Sequence, residues 1–165
     1  MPMVDALLPE FDHEMTITRK LLERVPDDRL SWKPHQKSMS LGGLATHVSN
    51  LPWWGQVTLN EPEFDVASTG NQPESTSRAQ VLQTFDRNVA ATRAALTGKS
   101  DAELMAPWAL KRADQTIFSM PKAAVWRSFM ISHIVHHRGQ LSVYLRLLDV
   151  PVPSIYGPSA DEGGL

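Results

Sequence analysis

From Trp126 to Leu148 the chain reads Trp-Arg-Ser-Phe-Met-Ile-Ser-His-Ile-Val-His-His-Arg-Gly-Gln-Leu-Ser-Val-Tyr-Leu-Arg-Leu-Leu, with no proline to interrupt it. At about 100° per residue, Trp126, Phe129, Met130, His133, His137, Tyr144 and Leu148 fall within roughly 50° of one direction. A stretch of this length and pattern folds as an amphipathic helix laid against a core. It places His133 and His137 one turn apart on the inward stripe, where neutral imidazoles at i and i+4 can converge on a single metal ion. His136 lies about 60° away, at the stripe's margin, and reads as a packing or hydrogen-bonding group rather than a ligand. Arg138 points farther out and reads as surface. Gln140 and Tyr144 share the side of the pair; Gln140 is a pocket residue by this reading and Tyr144 a packing one.

Three further amphipathic segments precede it. Val4, Leu7, Leu8, Phe11, Met15, Thr18, Leu22 and Val25 recur at three- and four-residue steps, which predicts a first helix closed by Pro26. Ser40 can cap a second helix with Leu44, Leu51, Trp54 and Thr58 on its stripe. His47 lies on that same line. Pro52 lacks the N–H that would bond the Val48 carbonyl, so this helix is expected to kink or open one turn after His47. Residues 61–77, rich in proline, glycine and small polar side chains, read as a long crossover. Ser77 or Thr76 then caps a third helix through Leu82, Phe85, Val89 and Leu96, ending at Gly98. Asp86 and Arg93 sit near its apolar stripe. An internal polar contact is the simpler role for them, and Asp86 as an outer partner of a metal-bound histidine is the alternative. Ser100-Asp-Ala-Glu103 is a capping box. Residues 108–112 and 115–120 flank Ala113-Asp114 as a small hairpin or as extended cover, and Pro121 takes the first position of the fourth helix. The tail after Pro153 offers only Ile155 and Tyr156 as anchors.

Four amphipathic helices in 165 residues predict an all-α fold: one domain, a four-helix bundle with a long crossover. Composition narrows the function. Sixteen basic against 18 acidic residues leave a net charge of −2, so no basic field exists to neutralise phosphates, and nucleic acid is not an expected partner. With no cysteine, disulfides, thiolate metal sites and cysteine nucleophiles are excluded. No secretory signal or membrane-length apolar run is visible, so a cytoplasmic protein without a membrane partner is expected.

Facing helices in a bundle stand about 8–10 Å apart, close enough for inward histidines on two of them to share an ion. His47, His133 and His137 would supply three nitrogen ligands and leave open positions. Spacing leaves two readings standing: a metal site, or core histidines satisfied separately. His13 and His35, at a helix flank and in a loop, read as solvent-facing. The run His-Ile-Val-His-His is no zincin motif, because Ile134 stands where that motif has its glutamate base. Any metal-bound thiolate would have to arrive on a small co-substrate.

Gly42-Gly-Leu-Ala-Thr-His47 followed by Leu51-Pro-Trp-Trp-Gly55, the run His133-Ile-Val-His-His137-Arg-Gly-Gln-Leu, and the ending Val150-Pro-Val-Pro-Ser-Ile-Tyr-Gly-Pro-Ser-Ala-Asp-Glu162 together resemble the DinB-like (DinB/YfiT) proteins. The resemblance spans essentially the whole chain. It implies a four-helix bundle with a crossover, a homodimer, and a divalent metal held by one histidine of the second helix and an H-x-x-x-H pair of the fourth. Those positions are His47, His133 and His137 here. Zinc or nickel is the first expectation for the ion, with iron as a further candidate. Relatives of this kind include thiol-dependent transferases and isomerases using bacillithiol, mycothiol or glutathione. The implied function is a metal-dependent enzyme acting on a small molecule, as a thiol-dependent transferase or a hydrolase. The alternative is a metal-stabilised binding or stress-response protein without turnover.

Overall fold

The computed structural model describes residues 1–70 and 73–163. Asn71 and Gln72 of the expected crossover, and the last two residues of the tail, lie outside the described residues. The chain is mostly helical: α1 Met3–Leu22, α2 Leu41–Asn50, α3 Trp53–Asn60, α4 Arg78–Leu96, the short α5 Asp101–Met105, α6 Lys122–Val125, and α7 Ser132–Leu147. A π-helical segment, Trp126–Ile131, joins α6 to α7. No helix among the described residues is long and apolar enough to cross a membrane.

The expected all-α architecture needs correction. A three-stranded sheet, β1 Glu63–Asp65, β2 Pro107–Arg112 and β3 Gln115–Pro121, is built from the crossover and from the segment between α5 and α6. β2 and β3 form the antiparallel hairpin around Ala113-Asp114, and β1 adds to β2 in parallel. The hairpin was one of two outcomes the sequence allowed; the third strand was not legible. It depends on a pairing across more than forty residues, Glu63 opposite Ala109 and Asp65 opposite Lys111. Ala113 takes a positive φ of 51° at the turn, and its N–H donates to Asp65 Oδ1 at 3.0 Å, tying the strand to the hairpin.

Local chemistry sets the helix limits. Ser40, Ser77 and Ser100 each accept a backbone N–H at an N-terminus, and Ser100 with Glu103 completes the capping box. Pro52 splits the expected second helix into α2 and α3. α4 braces that break: the buried Asn88 amide donates to Ser49 O at 3.0 Å, and the Thr92 hydroxyl donates to Pro52 O at 2.5 Å. Lys122 Nζ donates to the carbonyls of Leu59 and Glu61 at 2.8 and 2.9 Å, where α3 ends and its dipole favours a cation.

The main core gathers Phe11, Leu21, Leu22, Leu41, Leu44, Val48, Phe85, Leu96, Trp126, Met130, Ile134, Leu141 and Leu145 from the long helices. A second apolar cluster of Val57, Trp108, Leu110 and Val125 lies under the sheet, with Trp53, Trp54, Phe64, Phe118 and Phe129 packed against it. Trp54 belongs to the margins of both, so the sheet is anchored to α3, α6 and the π segment.

Candidate metal centre

The π segment decides what the last helix presents. A turn closed by i→i+5 bonds holds roughly one residue more than an α turn, so the phase downstream slips by close to 100°. Trp126 and Met130 are buried ahead of the slip; Ile134, Arg138, Leu141 and Leu145 are buried after it. His133 and His137 are thereby turned from the middle of the core stripe to its edge, half-buried, where α7 faces α2. Arg138 is not on the surface, as constant helical phase required. It is 1% exposed, in an ion pair between its Nη2 and Glu14 Oε2 at 2.7 Å, while Nη1 donates to the Glu14 carbonyl at 3.1 Å and to the Thr18 hydroxyl at 3.2 Å. Tyr156 of the tail donates its hydroxyl to the Glu14 carboxylate at 2.9 Å and lays its ring against the Arg138 guanidinium, 4.9 Å away.

His47, from α2, meets the pair across the helix interface. One ring nitrogen from each of His47, His133 and His137 lies within 4.8 Å of the other two, and Nε2 of His47 stands 3.4 Å from Nε2 of His133. Two nitrogens bound to one tetrahedral ion at about 2.0–2.1 Å would be roughly 3.3–3.5 Å apart, the separation of the His47–His133 pair, with His137 near enough to complete a three-nitrogen set by a small side-chain adjustment. The ring centroids of His137 and His47 are 4.4 Å apart, and those of His133 and His137 are 4.7 Å apart. Gln140, one turn on, has its Oε1 2.7 Å from His137 Nδ1. It accepts that N–H and leaves Nε2 as the lone-pair nitrogen toward the group.

The electrostatics favour neutral imidazoles. Burial, followed by the proximity of His137 and His133, holds the His47 pKa down to about 4. Burial also lowers His133 and His137, opposed by the Phe129 backbone in one case and Gln140 in the other. Metal binding requires the unprotonated ring, so the protein has already met that condition near neutral pH.

Other candidates fall elsewhere. His136 is exposed, and its ring stands edge-on to that of His137 at 4.8 Å. His13 and His35 are exposed, as expected. Asp86 is no outer partner of the histidines: it faces solvent on α4 and takes Arg19 at 2.8 Å, while Arg93 grips Asp12 at 2.9 Å. These are surface pairs, not internal contacts. Tyr144 packs edge-on against Trp32 at 5.5 Å and donates its hydroxyl to the Met39 carbonyl at 3.2 Å.

Sequence reasoning missed the surroundings of the group. A cleft of about 180 Å³ opens beside His47 and is lined by Asn50, Leu51, Trp53 and Trp54; a second, of about 230 Å³, shares His47 and Asn50 but brings in Thr46 and Glu74. Asn50 follows His47 by three residues on the same helix face, the one signal that could have marked it. Glu74 comes from the crossover. Its Oε2 accepts from the Ser40 hydroxyl at 2.9 Å, and the neighbouring Ser75 N–H donates to Thr46 Oγ1 at 2.8 Å.

Comparison with known proteins identifies the family and the fold. The family model described as "DinB family" matches residues 1–163. An uncharacterized Bacillus subtilis (strain 168) protein, YrdA, is 28% identical over 160 residues, covering 96% of this chain and 91% of the relative. Among solved structures, a DinB-like protein from Bacillus cereus ATCC 10987 superposes with a TM-score of 0.71 at 23% identity, covering 92% of this chain and 97% of the other. The DinB-like protein YjoA from Bacillus subtilis gives 0.66 at 20% identity, covering 88% and 95%. At these identities the structures speak for the fold alone. The family match runs through all three histidines and the tail that locks Arg138, and the chain belongs to the DinB family.

Proposed function

We propose that the protein is a metal-dependent enzyme for a small-molecule substrate, with His47, His133 and His137 holding a divalent ion and a low-molecular-weight thiol as co-substrate. The observation that carries this reading is the donor set itself: three half-buried, neutral imidazoles from two helices, of which His47 borders two clefts. A divalent ion bound there would supply Lewis acidity, lowering the pKa of a thiol or water. The chain's own part is positional. Gln140 fixes the tautomer of His137, and the Pro52 break after α2 leaves His47 at the lip of both clefts. Zinc or nickel suits three imidazoles best, with iron as a further candidate. The reading keeps a thiol-dependent transferase ahead of a hydrolase, because two clefts of different chemistry share His47.

Elemental analysis of untagged protein tests the first step. Near-stoichiometric metal is expected in the wild type, with loss of most of it in His137→Ala; equal metal in both would end the proposal. Turnover is tested by incubating metal-loaded protein with low-molecular-weight thiols and a panel of electrophiles. Acceleration that disappears in His137→Ala is expected. Stoichiometric metal without acceleration across the panel would favour the non-catalytic alternative, in which the ion ties α2 to α7. A second copy of the chain belongs to the same reading as a partner, and sedimentation at micromolar concentration should return the mass of a dimer.

A further inference from the structure

The two clefts that meet at His47 differ in kind. One is walled by Leu51, Trp53 and Trp54; the other contains Glu74 and Thr46 and no aromatic residue. The aromatic wall is held from behind. Trp53 and Trp54 pack edge to face at 5.2 Å, and Trp54 is buttressed by Phe64 at 4.9 Å and Phe129 at 5.2 Å. A volume of about 180 Å³ is on the scale of an apolar cavity of about 150 Å³ that admits benzene, so the cleft has room for one ring, and Asn50 and Trp53 also line a further cleft of about 440 Å³. Asn50 borders the smaller cleft, with His47 and Thr69 as the other polar side chains of the lining. Asn50 Nδ2 donates to the Thr46 carbonyl at 2.9 Å, which leaves Oδ1 as a hydrogen-bond acceptor. A guest that satisfies this cleft is therefore flat, apolar and equipped with one N–H or O–H donor.

We propose that the Trp53 cleft is a substrate subsite for a single aromatic ring bearing a hydrogen-bond donor. The inference rests on the small-molecule reading of the three histidines and names its substrate class. Because Asn50 follows His47 by one helical turn, a ring stacked on Trp53 and bonded to Asn50 presents its substituent beside His47. The Glu74 cleft, which shares His47 and Asn50, is left for the polar second reactant.

Fluorine NMR on the full-length protein tests the subsite directly, with para-fluorobenzyl alcohol, para-fluorotoluene and fluoropropanol as probes, each titrated with zinc present and with zinc chelated. The aryl alcohol is expected to bind best, para-fluorotoluene more weakly and the aliphatic alcohol not at all. Trp53→Ala should weaken the aryl alcohol about tenfold, the scale of an aromatic pair added to lost apolar contact, and Trp53→Phe should restore most of it. Asn50→Leu should abolish the preference for the alcohol over para-fluorotoluene. Equal binding of fluoropropanol, or unchanged affinity in a folded Trp53→Ala variant, would overturn the proposal. Should Trp53→Ala not fold, nuclear Overhauser contacts between probe and Trp53 indole protons in the wild type decide the matter: their presence supports the subsite and their absence removes it. His137→Ala separates the two readings, since loss of metal with retained ring binding is expected. Ring binding without any metal in the wild type would sink the metal reading and leave the subsite standing.

Discussion

Arg138 and Glu14 show how much a single buried pair governs in this protein. Neither side chain has water to fall back on, at 1% and 7% exposure. Truncating one partner strands the other charge, at a cost of about 3–5 kcal/mol. Arg138→Ala is expected to lose that much in urea unfolding, while Glu14→Gln, which keeps an acceptor for the guanidinium and for Tyr156, should lose less. Arg138 follows His137 directly, so its grip on α1 also fixes the rotation of α7 about its axis. The milder Arg138→Lys should therefore weaken metal binding without removing any ligand, measurable by competition against a chromogenic chelator. His47 belongs to the same scale. Its folded-state pKa of about 4 lies below the ordinary 6.5, so between those values the unfolded chain binds a proton that the folded chain refuses. Stability of the metal-free protein should be fully present above about pH 6.5 and fall as pH drops toward 4, and His47→Gln should flatten that slope in pH-dependent thermal melts.

Among the elements, the break at Pro52 and the π segment work as a pair. The first ends α2 and starts α3; the second re-phases α7. Gly55 of α3 sits where they meet. A Cβ there would stand 2.5 Å from Thr92 Cγ2 and 3.0 Å from the Trp126 ring. Gly55→Ala should destabilise by about 1–3 kcal/mol through overpacking, a shift readable as a lower Tm. Helix starts at Ser77 and Ser100 follow from local capping chemistry, and the sequence announces both. The π segment announces nothing. Its residues, Trp126 to Ile131, would sit equally well in an α-helix, and the wider turn goes with the burial of three of its own side chains, Trp126, Met130 and Ile131, in the core. That is why His133 and His137 were legible as a pair while Arg138, their neighbour, was assigned to the wrong side.

At the scale of the molecule, the tail closes the structure. Asp161 accepts from the Val152 N–H at 2.9 Å and pairs with Arg146, while Glu162 accepts from the Ser154 N–H at 2.9 Å and pairs with Arg24 at 3.0 Å. These contacts fold residues 150–162 back over α1 and α7 and deliver Tyr156 to Glu14. Removing the chain after Pro153 should expose the Glu14–Arg138 pair, lower the Tm, and reduce metal affinity with all three histidines intact. Zinc, by contrast, should raise the Tm of the full chain in proportion to the logarithm of its free concentration and leave His137→Ala unmoved.

Periodicity, caps and breakers in the amino-acid order determined the helices, the opening after His47 and the three histidines as a candidate set, because each is written in spacings of a few residues. Tertiary structure alone decided the third strand, the inward turn of Arg138, the sealing of its pair by Tyr156, and the clefts that share His47. Each of those depends on side chains or backbone from segments far apart in the chain. Their meeting is set by packing and by the need to satisfy buried polar groups, which no local pattern records.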